Sequence, residues 1–170
     1  MPNSESVDDI AIIIDKPCWN QTIKEWEDLI RPAVLEALHQ ASWVHTAELS
    51  ILFTDDAVIQ ELNKNFRGSD KPTNVLAFPS LEPSEILSFM NKTDVPKKIV
   101  LGDVVLAYQT LMQEAIHQNK SFHDHLIHLV VHGVLHLLGF DHEKDENAAI
   151  MELLEIQTLA KFDIRNPYEV

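Results

Sequence analysis

The sequence predicts an α+β domain: a small four-stranded mixed sheet packed with about five helices, one of them central. Three observations predict it. Four short runs carry apolar residues as strands do, alternating or clustered. Longer runs repeat apolar residues at helical spacing. Strands and helices alternate early in the chain, and helices alone fill its end. The 170 residues fit a single domain (1–170) with a sizeable core.

The Ile-rich run Val7 to Asp15 reads as the first strand. Thr22 to Gln40 reads as an amphipathic helix with Ile23, Trp26, Leu29 or Ile30, Val34 and Leu38 on one side, and Pro32 inside it predicts a kink or break. Glu48 to Thr54 alternates as a strand, with Leu49, Ile51 and Phe53 on one face. Thr54 or Asp55 can cap a helix over Asp56 to Phe66. A turn follows from Arg67 to Pro72, then a short strand from Asn74 to Phe78. The proline-rich stretch Ser80 to Lys98 reads as a loop. Ile99 to Leu106 reads as a strand and Tyr108 to Gln118 as a helix. A further helix starts at Ser121 or Phe122 and ends at Gly139; it is apolar almost all round, which marks a buried helix. Asp145 to Phe162 is a last helix that offers Ile150, Leu153, Leu154 and Ile156 to the core. The first two strands suit a parallel pair joined by a right-handed crossover, and the last two a wide hairpin.

Composition sets limits on function. No apolar stretch is long enough to span a bilayer. The polar Met1 to Asp9 and the short Ile10 to Ile14 run do not make a signal peptide, so a cytoplasmic location is expected. The one cysteine, Cys18, fits a reducing compartment and simple packing. A net charge of −14 opposes broad nucleic-acid binding. Any such role needs a local basic patch, for which Lys64, Arg67 and Lys71 are one candidate and Lys97 and Lys98 another.

The central helix carries the chemistry, in the segment His132-Gly-Val-Leu-His136-Leu-Leu-Gly139-Phe-Asp-His142. His132 and His136 lie one helical turn apart on one face. Gly139 allows a left-handed exit from the helix, and the reversal can return His142 to the same point. Three imidazoles with a fourth position open suit a catalytic Zn²⁺, one per chain, rather than a closed structural site. The spacing resembles the zincin signature H-E-x-x-H-x-x-G-x-x-H, except that Gly133 stands where the protease has its general-base Glu. That substitution argues against peptide hydrolysis. Asp141 and Asp103 are candidate acceptors for the ligands' second ring nitrogens, although Asp141 equally fits a turn and Asp103 a strand-end polar group. His128, one turn before His132, can be a ligand, a partner of a ligand or a packed side chain. His123 and His125, near the helix start, are expected to be exposed; His39, His45 and His117 carry no spacing signal.

Three segments in order, NKNFRGSDKPTNVLAFP over residues 63–79, Leu101-Gly102-Asp103-Val104 and the histidine segment, resemble the YbeY family of bacterial metal-dependent endoribonucleases of ribosomal RNA maturation. The resemblance runs from about the second strand to the last helix. It implies zinc on His132, His136 and His142, an RNA-facing Arg67 beside the metal, and ribosomal RNA and the small ribosomal subunit or its proteins as partners. It also accounts for Gly133, which the family shares. Within that reading Arg67 is the candidate catalytic residue, because a guanidinium grips two phosphate oxygens at once and can offset charge in the transition state. Two rivals are a zinc-stabilised, non-enzymatic ribosome-assembly factor, which the acidic surface also suits, and a metalloprotease, which Gly133 disfavours.

Overall fold

A computed structural model describes residues 7–169. Four strands, β1 (Asp9–Ile14), β2 (Ala47–Thr54), β3 (Val75–Pro79) and β4 (Ile99–Ala107), form one sheet in the order β1-β2-β4-β3. β1 and β2 are parallel, as are β2 and β4, while β3 is antiparallel to β4. The expected parallel first pair and late antiparallel pair are both present. β4 enters between β2 and β3, which leaves β3 as an edge strand.

The described residues form seven helices: α1 (Pro17–Thr22), α2 (Trp26–Gln40), α3 (Asp56–Arg67), α4 (Pro83–Met90), α5 (Tyr108–His117), α6 (Phe122–Leu137) and α7 (Asp145–Ala160). The excess over about five has two sources. The helix expected from Thr22 begins at Trp26, because Ile23 takes an extended conformation and closes a separate α1. α2 continues on both sides of Pro32, so the expected break does not occur. The stretch expected to be loop contains α4: Pro83 starts it, the Glu85 side chain accepts the Glu82 N–H, and Ile86 is buried. Proline density hid a helix for which proline is the natural first residue.

Leu49, Ile51 and Phe53 share one face of the sheet, as their alternation requires, and join the main core with α2, α6 and α7. A smaller core of Ile59, Leu76, Val105 and Ala107 lies under α3 on the other face. Cys18 packs against the main core. α6 is central, touching α2, α5, α7, β3 and β4. Its buried aliphatic side chains, from Leu126 to Leu137, each contribute about 1.5–3 kcal/mol on burial. α7 is turned differently from expectation. Ile150 and Leu153 are exposed, and the inward stripe is Met151, Glu155, Thr158 and Leu159. Of the residues expected in the core, Leu154 packs against it, and the buried face is centred on a carboxylate between Met151 and Leu159.

Gly133 sits where α6 crosses β4. A Cβ there would lie 2.6 Å from Cγ1 of Val104, a fully buried residue. The absent side chain is what lets the helix lie this close to the sheet.

Candidate metal centre

α6 is fixed at both ends before it presents any ligand. Ser121 Oγ accepts the Asp124 N–H at its start. At its end Gly139 N–H donates to the His136 carbonyl and Phe140 N–H to the Leu135 carbonyl, with Gly139 at φ +87°. This pair of bonds is a Schellman closure, and glycine meets its left-handed requirement without strain. The reversal returns His142 to His132 and His136, with ring centroids 5.5 and 5.2 Å away. One ring nitrogen from each of the three lies within 4.8 Å of the others. His132 Nε2 and His136 Nε2 are 3.0 Å apart. Two nitrogens on one tetrahedral zinc at about 2.0–2.1 Å would lie roughly 3.3 Å apart, so the donor set fits such an ion with a small adjustment.

The partner of His132 is neither Asp141 nor Asp103 but Glu155 of α7. Its Oε1 lies 2.5 Å from His132 Nδ1 and its Oε2 3.1 Å from His128 Nε2. The Tyr168 hydroxyl donates to the same Oε2. Asp141 instead accepts from Glu143 N–H in its own turn and from the Asn147 amide at the start of α7, and exposed Asp103 bonds the Ser50 hydroxyl on the neighbouring strand. His128 is thus bonded to the carboxylate that holds His132 and is outside the cluster of three histidines that could hold a metal ion. His125 is buried, not exposed: its Nε2 is 2.7 Å from Glu114, which also accepts from Asn74 at the start of β3. Burial lowers its pKa despite that bond.

The electrostatics suit a metal ligand set. Burial alone would raise the Glu155 pKa, but hydrogen bonds from His128 and His132 outweigh it and hold the carboxyl at about 2. With Glu155 ionised, His132 donates through Nδ1 and its Nε2 lone pair faces the other histidines. Burial, then the neighbouring His132 and His142, lowers His136 to about 4, so its lone pair is free at neutral pH. Burial and the bond to Glu155 raise the Tyr168 phenol, which stays a donor.

These shifts give a pH dependence for the metal-free protein. Unfolded His136 takes its proton near 6.5 and folded His136 only near 4, so stability falls as pH drops through that window. Glu155, near 4.5 unfolded and 2 folded, stabilises above 4.5 and loses that contribution as pH falls toward 2. Chelator-treated protein followed by circular dichroism should therefore lose stability from about pH 6.5 downward. A midpoint flat between pH 7 and 4 would contradict this assignment.

Arg67, the last residue of α3, reaches the same place from the other side of β3. Its guanidinium donates to the Ala77 carbonyl at 2.6 Å and lies 5.3 Å from the centre of the Phe78 ring. In the β3–β4 ladder Ala107 N–H bonds Asn74 and Ser80 N–H bonds Leu101, so residues 75, 77 and 79 turn their backbone groups to the free edge. The Asn74 side chain accepts the Val75 N–H on that edge. A cleft of about 420 Å³ lies between this edge and α6, and Arg67, Asn74, Ala77, His132, Gly133, His136 and His142 line it. All four residues expected to form the site therefore share one cleft, and no Asp or Glu lines it. Glu155 and Tyr168 were missed: acids are frequent in α7, and no spacing in the sequence separates Glu155 from its neighbours. The one available signal is its helical spacing from Met151 and Leu159 on the buried stripe.

The geometry agrees with three comparisons. A family model described as Endoribonuclease YbeY matches residues 14–163. Among curated proteins, an Endoribonuclease YbeY of Bradyrhizobium sp. (strain BTAi1 / ATCC BAA-1182) is 44% identical over 169 residues, covering 99% of this chain and 96% of that protein. One from Nitrobacter hamburgensis is 46% identical over 161 residues, covering 92% of this chain and 80% of its own. Among solved structures, the solution structure of TM1509 from Thermotoga maritima matches with a TM-score of 0.55 and 23% identity, covering 95% of this chain and 99% of that one, which supports the fold. A family match over most of the chain, together with relatives near 44% identity along nearly its whole length, shows that this chain belongs to the YbeY endoribonuclease family.

Proposed function

We propose that the chain is a single-domain, zinc-dependent endoribonuclease that cuts single-stranded ribosomal RNA in small-subunit maturation and ribosome quality control, in the cytoplasm. The observation that carries this reading is the convergence of three imidazoles and one guanidinium in a single cleft. His132, His136 and His142 hold the metal. A bound zinc ion supplies Lewis-acid polarisation of a phosphate oxygen and acidifies water. Glu155 fixes the His132 tautomer, with Tyr168 and His128 fixing Glu155 in turn. Arg67 uses one N–H on Ala77 and keeps its other donors for a phosphate, where it positions the scissile group and offsets its growing charge. The expectation of contact with the small subunit rests on the family and on an acidic surface suited to basic ribosomal proteins. Within the described residues no helix is long and apolar enough to cross a membrane.

Metal analysis paired with cleavage of a ribosomal RNA fragment tests the reading. About one zinc per chain is expected, with Arg67→Ala keeping the zinc and losing roughly 10²-fold or more in cleavage rate. Zinc without cleavage by either protein would leave a zinc-stabilised assembly factor as the better account. That alternative draws on the same acidic surface, at −14 net charge.

A further inference from the structure

Phe66 is 64% exposed, on the last turn of α3, immediately before Arg67. Exposure alone is ordinary for an apolar residue, and Val44 and Ile116 are more exposed still; what sets Phe66 apart is how its ring is held and what surrounds it. Its ring is not loose: it packs edge-to-face on Phe78, centroids 5.5 Å apart at 71°. Phe78 also carries the Arg67 guanidinium. Two aromatic rings and one cation thus form a single unit, of which Arg67 lines the metal cleft while the two rings lie behind it on the α3 side of the sheet.

The surroundings of Phe66 decide what covers it. An apolar protein partner needs a contiguous apolar patch. The exposed neighbours here are Lys64, Asn65, Arg67 and Gly68, with Lys71 just beyond the turn. The one acid paired with this group is Asp70, 3.8 Å from Lys64, in a bridge whose side chains are both 61% exposed and which water screens. An exposed ring held by a second ring and set among cations, in a chain of net charge −14, matches a flat ligand strung on an anionic backbone.

We infer that Phe66 is a stacking platform for an unpaired nucleobase, next to the phosphate that Arg67 holds. The inference rests on the endoribonuclease reading and adds to it a source of strand selectivity. A base in a duplex is already stacked and paired and cannot lie on the ring, whereas an unpaired base can, whatever its identity. Selection of single strands then comes from Phe66, and bond cleavage from the metal cleft.

The test uses the full-length, zinc-loaded protein and two fluorescent probes: a short unstructured oligoadenylate, and the same ribose–phosphate chain made abasic throughout. Phe66→Ala should bind the oligoadenylate roughly 5- to 150-fold more weakly than wild type, the range of one lost base–aromatic stack. It should bind the abasic chain as wild type does, since the charges are unchanged. Phe66→Trp should restore oligoadenylate affinity. Equal oligoadenylate affinity for Phe66→Ala and wild type would overturn the platform, as would an equal loss on both probes. A wild type that neither binds nor cuts RNA would overturn the nuclease reading itself. A wild type that cuts RNA while Phe66→Ala binds normally would overturn the platform alone.

Discussion

Replacing Gly133 with glutamate, which would complete the protease signature, is expected to give an unstable protein and no peptidase. The first atom of the new side chain would meet Val104 Cγ1 at 2.6 Å and Cγ2 at 3.1 Å. Val104 is β-branched, fully buried and on a central strand, so it cannot rotate aside. The carboxyl group that follows would also be forced against the core. Overpacking and an unpaired buried charge together should cost about 4 kcal/mol or more, at the extreme of single substitutions. For a chain of this length that lowers the melting temperature by roughly 8–16 °C or leaves the protein insoluble. Gly133→Ala separates the two causes. It keeps the clash without the charge and regains about 1 kcal/mol of helix propensity, so its loss should be much smaller. Combining it with Val104→Ala should give a loss smaller than the sum of the two single losses, because the second change removes the atoms the first one strikes. A stable, soluble Gly133→Glu protein with peptidase activity would refute the packing argument and revive the protease reading.

Glu155→Gln is expected to weaken zinc binding by roughly 10- to 100-fold, as measured by competition with a chromogenic chelator. The amide presents only one oxygen where the carboxylate accepts from His132, His128 and Tyr168. His132 then loses the partner that turns its Nε2 lone pair outward. Glu155→Ala goes further, since it leaves polar groups of α6 and the C-terminal segment without their acceptor. A loss of about 3 kcal/mol or more in stability is expected, since each buried donor left without its acceptor costs about 1–3 kcal/mol. Zinc affinity unchanged in Glu155→Gln would show that the carboxylate does not orient the ligand.

These two residues also mark the limit of what the sequence reveals. The clustering of the three histidines was legible because its geometry is local: a helical turn between two of them, and a glycine that reverses the chain before the third. Arg67 was reachable through its segment's likeness to a family. The strand alternation of β2 and the apolar length of α6 fixed the main layers. Glu155 was not legible, because it lies 23 residues beyond His132 and only the packing of α7 on α6 joins them. Taking Ile150 and Leu153 rather than Met151 and Leu159 as the inner stripe turned α7 away from its true inner face. Hydropathy ranks a glutamate as a surface residue, whereas three waiting donors make it a buried one. α4 escaped notice for a related reason, since Pro83 both breaks apolar periodicity and starts a helix.

The edge of β3 has a bearing on how this protein behaves in solution. An edge strand offers its outward backbone groups to any other strand, which is a route to aggregation. Here one outward group at each of residues 75, 77 and 79 is taken or missing. The Asn74 side chain takes the Val75 N–H, Arg67 takes the Ala77 carbonyl, and Pro79 has no N–H to give. The side chain proposed to hold the substrate phosphate therefore also caps the edge. Replacing Arg67 should therefore lower solubility as well as any RNA cleavage, since it frees a carbonyl on the open edge.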